Sequence, residues 1–169
     1  LVLTAHGSDV ESAQAPATRF IQKQLYAQCA GLHFVSEPLK QRAEELLGSW
    51  SAPTLVTPTG VDLEHFSPDG VCERAQEGRQ RVLMVGQTVP HKGWEEGIAA
   101  LGQLRERGLD VELVALGGPR TEWLQGIAKS YGVEDALICQ GEVQHHELAP
   151  YYRGADLVLV ASHREGFGL

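Results

Sequence analysis

The sequence predicts an α/β protein built on parallel sheets, and three observations carry that prediction. Short apolar runs recur along the 169 residues. Amphipathic stretches of helical length separate most of them, and the runs end in glycine-rich or polar turns. Strands alternating with helices in this way form βαβ units, with a parallel sheet and helices on both faces.

Leu1–Ala5 reads as a buried strand leaving through His6-Gly7-Ser8-Asp9. Pro16–Cys29 is expected to be helical, with Phe20, Ile21, Leu25 and Cys29 as its apolar stripe. Leu32–Val35 is the next strand. Ser36 is placed to cap the following helix, Pro38 suits its first turn, and Gly48 its end. Leu39, Ala43, Leu46 and Leu47 line one side of that helix. Pro53–Thr57 forms a third strand leading into Pro58-Thr59-Gly60-Val61-Asp62.

Residues 67–80 turn to Pro, Gly, Glu, Arg and Gln with almost no large apolar residue, as a domain linker does. Beyond them the alternation is cleaner. Strands are expected at Arg81–Val85, Val111–Leu116, Leu137–Gln140 and Leu157–Ala161. Helices are expected at Trp94–Arg107, Thr121–Tyr131 and Glu147–Arg153. Gly108 and Gly132 follow two of these helices.

A formal charge of −8 argues against a general nucleic-acid or anionic-membrane surface, so a phosphate ligand must be held by local donors. Cys29, Cys72 and Cys139 are odd in number and lack metal-type spacing, which suits a reducing compartment. No apolar run approaches membrane-spanning length. The chain opens on Leu1-Val2-Leu3, inside a predicted strand, and stops just past a strand exit, so both ends look cut.

Chemistry concentrates at strand exits, where open α/β sheets bind ligands. Gly86-Gln87-Thr88-Val89-Pro90-His91-Lys92-Gly93 follows a strand and opens a helix. Free N–H groups, the helix dipole and the Lys92 charge converge there, which suits phosphate. The spacing matches neither a Walker A loop nor a dinucleotide fingerprint, and a solvated surface Lys is the plainer alternative. Gly117-Gly118 and Gln140-Gly141-Glu142-Val143 occupy the corresponding turns after the next two strands. The paired glycines of the first turn admit a close ligand or only a tight turn, and the single glycine of the second reads the same two ways. Glu165 stands beside Gly166-Phe167-Gly168, where a carboxylate either orients sugar hydroxyls or favours a helix start. His6 ends a strand as catalytic side chains do, and as structural histidines also do. His145-His146 reads as an exposed helix start, and Trp50, Trp94 and Trp123 as packing residues.

Together these turns resemble the retaining glycosyltransferases of family 4, which have the GT-B architecture of Rossmann-like doubly wound parallel sheets. The resemblance rests on His6-Gly7-Ser8-Asp9, on Val35-Ser36-Glu37 with Leu39-Lys40, and on Pro58-Thr59-Gly60-Val61-Asp62 with Phe66 and Pro68. It continues through Gly86, Lys92-Gly93, Glu147-Leu148, Tyr151-Tyr152 and Ala155-Asp156 to Ser162, Glu165-Gly166-Phe167-Gly168-Leu169. It implies that residues 1–66 are the C-terminal part of an acceptor-side domain, 67–80 a linker, and 81–169 the first part of a donor-binding domain.

The resemblance further implies transfer of a sugar, with retention, from a UDP- or GDP-linked donor. Lys92 would contact the diphosphate, within a donor site of Gly86, Gln87, Gly117, Val143, Glu165, Gly166, Phe167, Gly168 and Leu169. His6, Lys92 and Glu165 would be the catalytic residues, with no cofactor or metal required. The acceptor would be a sugar, a lipid-linked sugar or a small metabolite, met in the cytoplasm or at the inner face of the membrane by peripheral contact. Nucleic acid is not an expected partner.

Two departures stand out. Gln87 occupies a position where the family usually carries Arg, and losing one charge-assisted donor to phosphate costs about 1.5–3 kcal/mol. The second glutamate of the family's paired motif would fall beyond Leu169. A non-catalytic nucleotide-sugar-binding module is therefore the alternative, and a sugar-nucleotide epimerase a more distant one.

Overall fold

The computed structural model describes residues 1–75 and 77–167. The chain divides into two compact units, Leu1–Val61 with the segment beginning at Glu165, and Asp62–Arg164.

The first unit carries a three-stranded parallel sheet. Strands β1 (Val2–Ala5), β2 (Gly31–Phe34) and β3 (Thr54–Val56) lie in the order β1-β2-β3, with Leu3 opposite Leu32 and Leu32 opposite Thr54. Three helices connect them, α1 (Ser8–Glu11), α2 (Pro16–Gln28) and α3 (Glu37–Leu47). The expected caps of α3 are present. Ser36 accepts a hydrogen bond from the Leu39 amide at 3.2 Å, Pro38 sits in the first turn, and Gly48 closes the helix at φ 82°. Leu39, Ala43 and Leu47 are buried against Leu32, Phe34 and Val35.

The expected stripe of α2 needs correction. Phe20, Ile21 and Leu25 are exposed, at 66%, 58% and 44%. The inward face instead carries Arg19, Gln22, Tyr26 and the following Cys29, which recur at helical spacing. Arg19 Nε donates to the Ala13 carbonyl at 2.9 Å and Gln22 Nε2 to the Asp9 carbonyl at 2.6 Å. Orphan carbonyls of the preceding turns thus select polar partners on this face. The ring of Tyr26 completes an edge-to-face and stacked cluster with Phe34 and Trp50, its centroid 5.4 Å from that of Trp50.

The second unit carries four parallel strands, β4 (Gln80–Val85), β5 (Val111–Leu116), β6 (Leu137–Gly141) and β7 (Leu157–Val158), in the order β6-β5-β4-β7. Helices α4 (Trp94–Glu106), α5 (Thr121–Ser130) and α6 (Leu148–Gly154) cross over between them. All six residues of β5 are buried, as a central parallel strand covered on both faces requires. Alternation splits the core. Met84, Val111, Leu113 and Ala115 pack under Trp94, Ile98, Leu101, Leu124 and Ala128, while Leu83, Val114 and Leu116 meet Leu148, Tyr151 and Tyr152. The sheet is doubly wound, with α4 and α5 on one face and α6 on the other.

Strand β7 is shorter than the predicted Leu157–Ala161, and Leu157, Val158 and Val160 are exposed rather than buried. It pairs on one side only, with β4, through Val82–Leu157 and Leu83–Val158. One further rung, from the Leu159 amide to the Leu83 carbonyl at 2.8 Å, ends the ladder.

Residues 65–73 lie along α6. Arg153 donates to the carbonyls of Ser67, Val71 and His65 at 2.8, 3.1 and 2.9 Å, and the Glu73 amide donates to the Pro150 carbonyl at 2.9 Å. One guanidinium therefore satisfies three carbonyls of a segment with no ladder of its own. At the opposite ends of the strands, buried Glu112 receives Arg81 Nη2 at 2.6 Å and lies 3.7 Å from Arg79 Nη1.

Candidate functional site

The strand order places the topological switch of the second unit between β4 and β7, because the connections run one way to β5 and β6 and the other way to β7. Loops leaving such a pair of strands enclose the ligand crevice of an open parallel sheet. The exits here are Gly86–Gly93 and Leu159–Arg164.

Gly86 stands at φ 154°, and its amide donates to the Leu116 carbonyl at 2.9 Å. The chain then makes a short 3-10 turn, Pro90–Lys92, and enters α4 through Gly93 in the left-handed region, φ 72°. Gly93 brings no side-chain cap to α4, so the Trp94 and Glu95 amides keep the donor character that attracts anions, while the Glu96 carboxylate draws on its own amide. The Lys92 side chain folds back across the loop. Its Cδ and Cε lie 3.8 and 4.0 Å from where a Cβ on Gly86 would stand. Gly86, Lys92 and the start of α4 are thereby brought together.

Gly117 joins this group by backbone contact. It lies at φ 125°, a Cβ there would overlap the Gly86 carbonyl, and its amide donates to Gly141 at 2.6 Å. The exits of β4, β5 and β6 are stitched together by main chain. Thr88, which sequence reasoning passed over, adds a side-chain stitch. It is buried, and its Oγ1 accepts from the Arg120 amide at 3.2 Å. The Gln87 carbonyl accepts from Trp94 Nε1 at 2.8 Å, so this Trp anchors the loop as well as filling the core. Val143 packs with Leu83 and Leu116 on the α6 face.

His6 and Gly166 belong to the first unit. Asp9 Oδ1 accepts from the His6 and Gly7 amides at 3.1 and 2.7 Å, which fixes the turn after β1. The spacing of Asp9 from His6 was the available signal for this turn. Gly166 lies on that turn, where a Cβ would stand 2.7 Å from the His6 carbonyl carbon and 3.1 Å from Gly7 Cα. Ser36 Oγ, besides capping α3, donates to the Gly166 carbonyl at 2.6 Å. Glu165 and Phe167 are exposed. Gly168 and Leu169 lie outside the described residues.

The His145-His146 pair opens a 3-10 turn, His145–Glu147, with a reciprocal Gln144–Glu147 capping box. Among the described residues, no three His, Cys, Asp or Glu side chains converge in a way that could hold a metal ion. Among them, too, no helix is long and apolar enough to cross a membrane.

Comparison with known proteins agrees with this geometry. The family described as "Glycosyl transferases group 1" matches residues 72–169, more than half of the chain. A D-inositol 3-phosphate glycosyltransferase of Kineococcus radiotolerans is 34% identical, over 93% of this chain and 40% of its own. A GDP-mannose-dependent alpha-(1-6)-phosphatidylinositol monomannoside mannosyltransferase of Mycolicibacterium smegmatis is 30% identical, over 100% of this chain and 46% of its own. The chain spans less than half the length of these relatives. Among solved structures, sucrose-phosphate synthase from Thermosynechococcus elongatus superposes with a TM-score of 0.83 at 21% identity, over 99% of this chain and 46% of that one. That likeness shows the fold, the GT-B type α/β class expected from the sequence.

Proposed function

Since this chain belongs to the glycosyl transferases group 1 family, we propose that it is part of an enzyme that moves a sugar from a nucleotide-diphosphate sugar to an acceptor, with retention. The observation that carries this reading is Lys92 folded over Gly86 at the β4–β7 switch, beside the uncapped start of α4. A diphosphate leaves with growing negative charge, and a fixed cation with aligned amides stabilises that charge more than the ground state.

In this reading the bond from the anomeric carbon to the diphosphate oxygen breaks. A bond to the acceptor oxygen forms on the same face, and the acceptor proton passes to the leaving phosphate. Lys92 and the first-turn amides of α4 take the phosphates. Glu165 and the amides of Gly166 and Phe167 orient the sugar, His6 reaches its hydroxyls, and Gly117 and Val143 flank the nucleoside. The names of the two relatives support an acceptor carrying inositol phosphate, and the second supports GDP-mannose as donor. The reading places the reaction in the cytoplasm or at the inner membrane face, which the phosphatidylinositol in that name supports.

Gln87 favours a second reading, a nucleotide-sugar-binding module without turnover. One assay pair separates them, calorimetry with uridine and guanosine diphosphates and a transfer assay on the intact protein. Binding without transfer selects the module. In the enzyme, Lys92→Ala lowers kcat by about 10²–10³-fold, the usual loss on removing one such donor. An unchanged transfer rate refutes the role given to Lys92.

A further inference from the structure

Beyond Leu159 the segment after β7 has no ladder partner among the described residues, yet it is seated on the turn before α4 and on the start of that helix at three points. The His163 amide donates to the His91 carbonyl at 2.9 Å. Ala161 passes directly over Gly93, where a Cβ would stand 2.8 Å from Ala161 Cβ and overlap its carbonyl. The third point is a side-chain pair. His163 Nε2 lies 2.6 Å from Glu96 Oε1, on the first turn of α4. The Glu96 carboxyl is held below its usual range by its own backbone amide and then by His163.

We propose that the His163–Glu96 pair is a positioning clasp for donor binding, holding the segment that runs into Glu165 against the Lys92 loop. The inference rests on the reading of that loop as a donor-phosphate site. Neither residue touches the donor in this scheme. Exposed ion pairs contribute little to global stability. A two-residue edge strand followed by one ladder bond is a local element of low stability, however, and there a single pair shifts the seated population.

The test uses the intact protein with His163→Ala, His163→Gln and Glu96→Gln. His163→Ala raises the donor KM about two- to fivefold, the reach of one exposed pair on an equilibrium, with kcat and Tm near wild type. His163→Gln, whose amide nitrogen can stand where Nε2 stands, restores the donor KM. Glu96→Gln raises the donor KM to a degree similar to His163→Ala. Amide exchange at residues 159–163 accelerates in His163→Ala without donor. An unchanged KM in His163→Ala, or a lowered Tm without rescue by Gln, overturns the proposal. If the wild type binds no donor, the functional reading fails and the positioning role with it. Amide exchange then still decides whether the clasp exists, and unaltered exchange removes it.

Discussion

Gly117→Ala tests whether the strand exits form one unit. Gly117 sits at φ 125°, a conformation that costs a residue with a side chain about 1–3 kcal/mol. The added Cβ would also overlap the Gly86 carbonyl oxygen and stand 2.8 Å from its carbon. That obstacle is backbone rather than the end of a flexible side chain, in a residue whose amide is held by the Leu116 carbonyl, so it yields only with the loop. Forcing a methyl into such a space costs about a further 1–3 kcal/mol. The sum, about 2–6 kcal/mol, is a large share of the 5–15 kcal/mol typical of a domain. At about 2–4 °C per kcal/mol for a protein of this size, Tm falls by about 4–24 °C. Relief of the overlap moves Gly86 and the Lys92 side chain that crosses it, so donor binding weakens too. The matched control is Gly126→Ala in α5, where a Cβ has open space and helical backbone. Helix propensity there predicts a gain of about 0.5–1 kcal/mol. Thermal unfolding of both variants, with calorimetry on nucleoside diphosphate, makes the comparison. A Gly117→Ala protein with wild-type Tm and donor affinity would show that the exits move independently.

Glu112→Ala leaves Arg81 and Arg79 without a shared, buried carboxylate, and should lower stability by about 3–5 kcal/mol in chemical denaturation. A loss below about 1 kcal/mol would mark the network as solvated. Tyr26 makes a prediction about alkaline pH. Burial, then Asp9 and Cys29, push its phenol up to about 12, from an ordinary value of 10.0. The folded state keeps a proton that the unfolded chain releases first. That contribution is whole below pH 10 and is lost as pH rises towards about 12. Tyr26→Phe should remove this decline from stability measured against pH, and parallel alkaline slopes for both proteins would contradict it.

Some of the fold was legible because local chemistry and global packing ask for the same residues. Ser36, Pro38 and Gly48 bound α3 by capping rules alone, and the unbroken apolar run of β5 requires cover on both faces. The inward face of α2 was not legible. Its choice depends on carbonyls of Asp9 and Ala13 that become neighbours only after the turn has folded, so apolar periodicity pointed to Phe20, Ile21 and Leu25. The end of β7 was hidden for a related reason, since apolar content does not say whether a strand has one neighbour or two. At the candidate site, Gly86, Lys92 and Gly117 could be nominated by their places after strands. Thr88 could not, because a buried hydroxyl has no periodic signature and its partner is a backbone amide 32 residues away. The spacing of Gly93 and Gly97, one helical turn apart, was an unused signal. Gly93 lies under Ala161, and a Cβ on Gly97 would stand 3.1 Å from Met84 Cε.

The main-chain crossings at Gly93, Gly117 and Gly166, and the one at Gly154, where the Glu73 carbonyl lies against α6, also bear on how this protein can change. At each, one backbone lies directly on another, so the framework is specified by the absence of side chains. Any substitution at these four positions moves the chain before it alters any ligand contact. Gln87, Val89, Pro119 and Arg120 lie on the rims of the same loops, and their side chains are not part of those crossings. A library aimed at donor preference should therefore randomise these rim positions and hold the four glycines constant. Drift at Gln87 would then retune the site while the loops beneath it keep their shape.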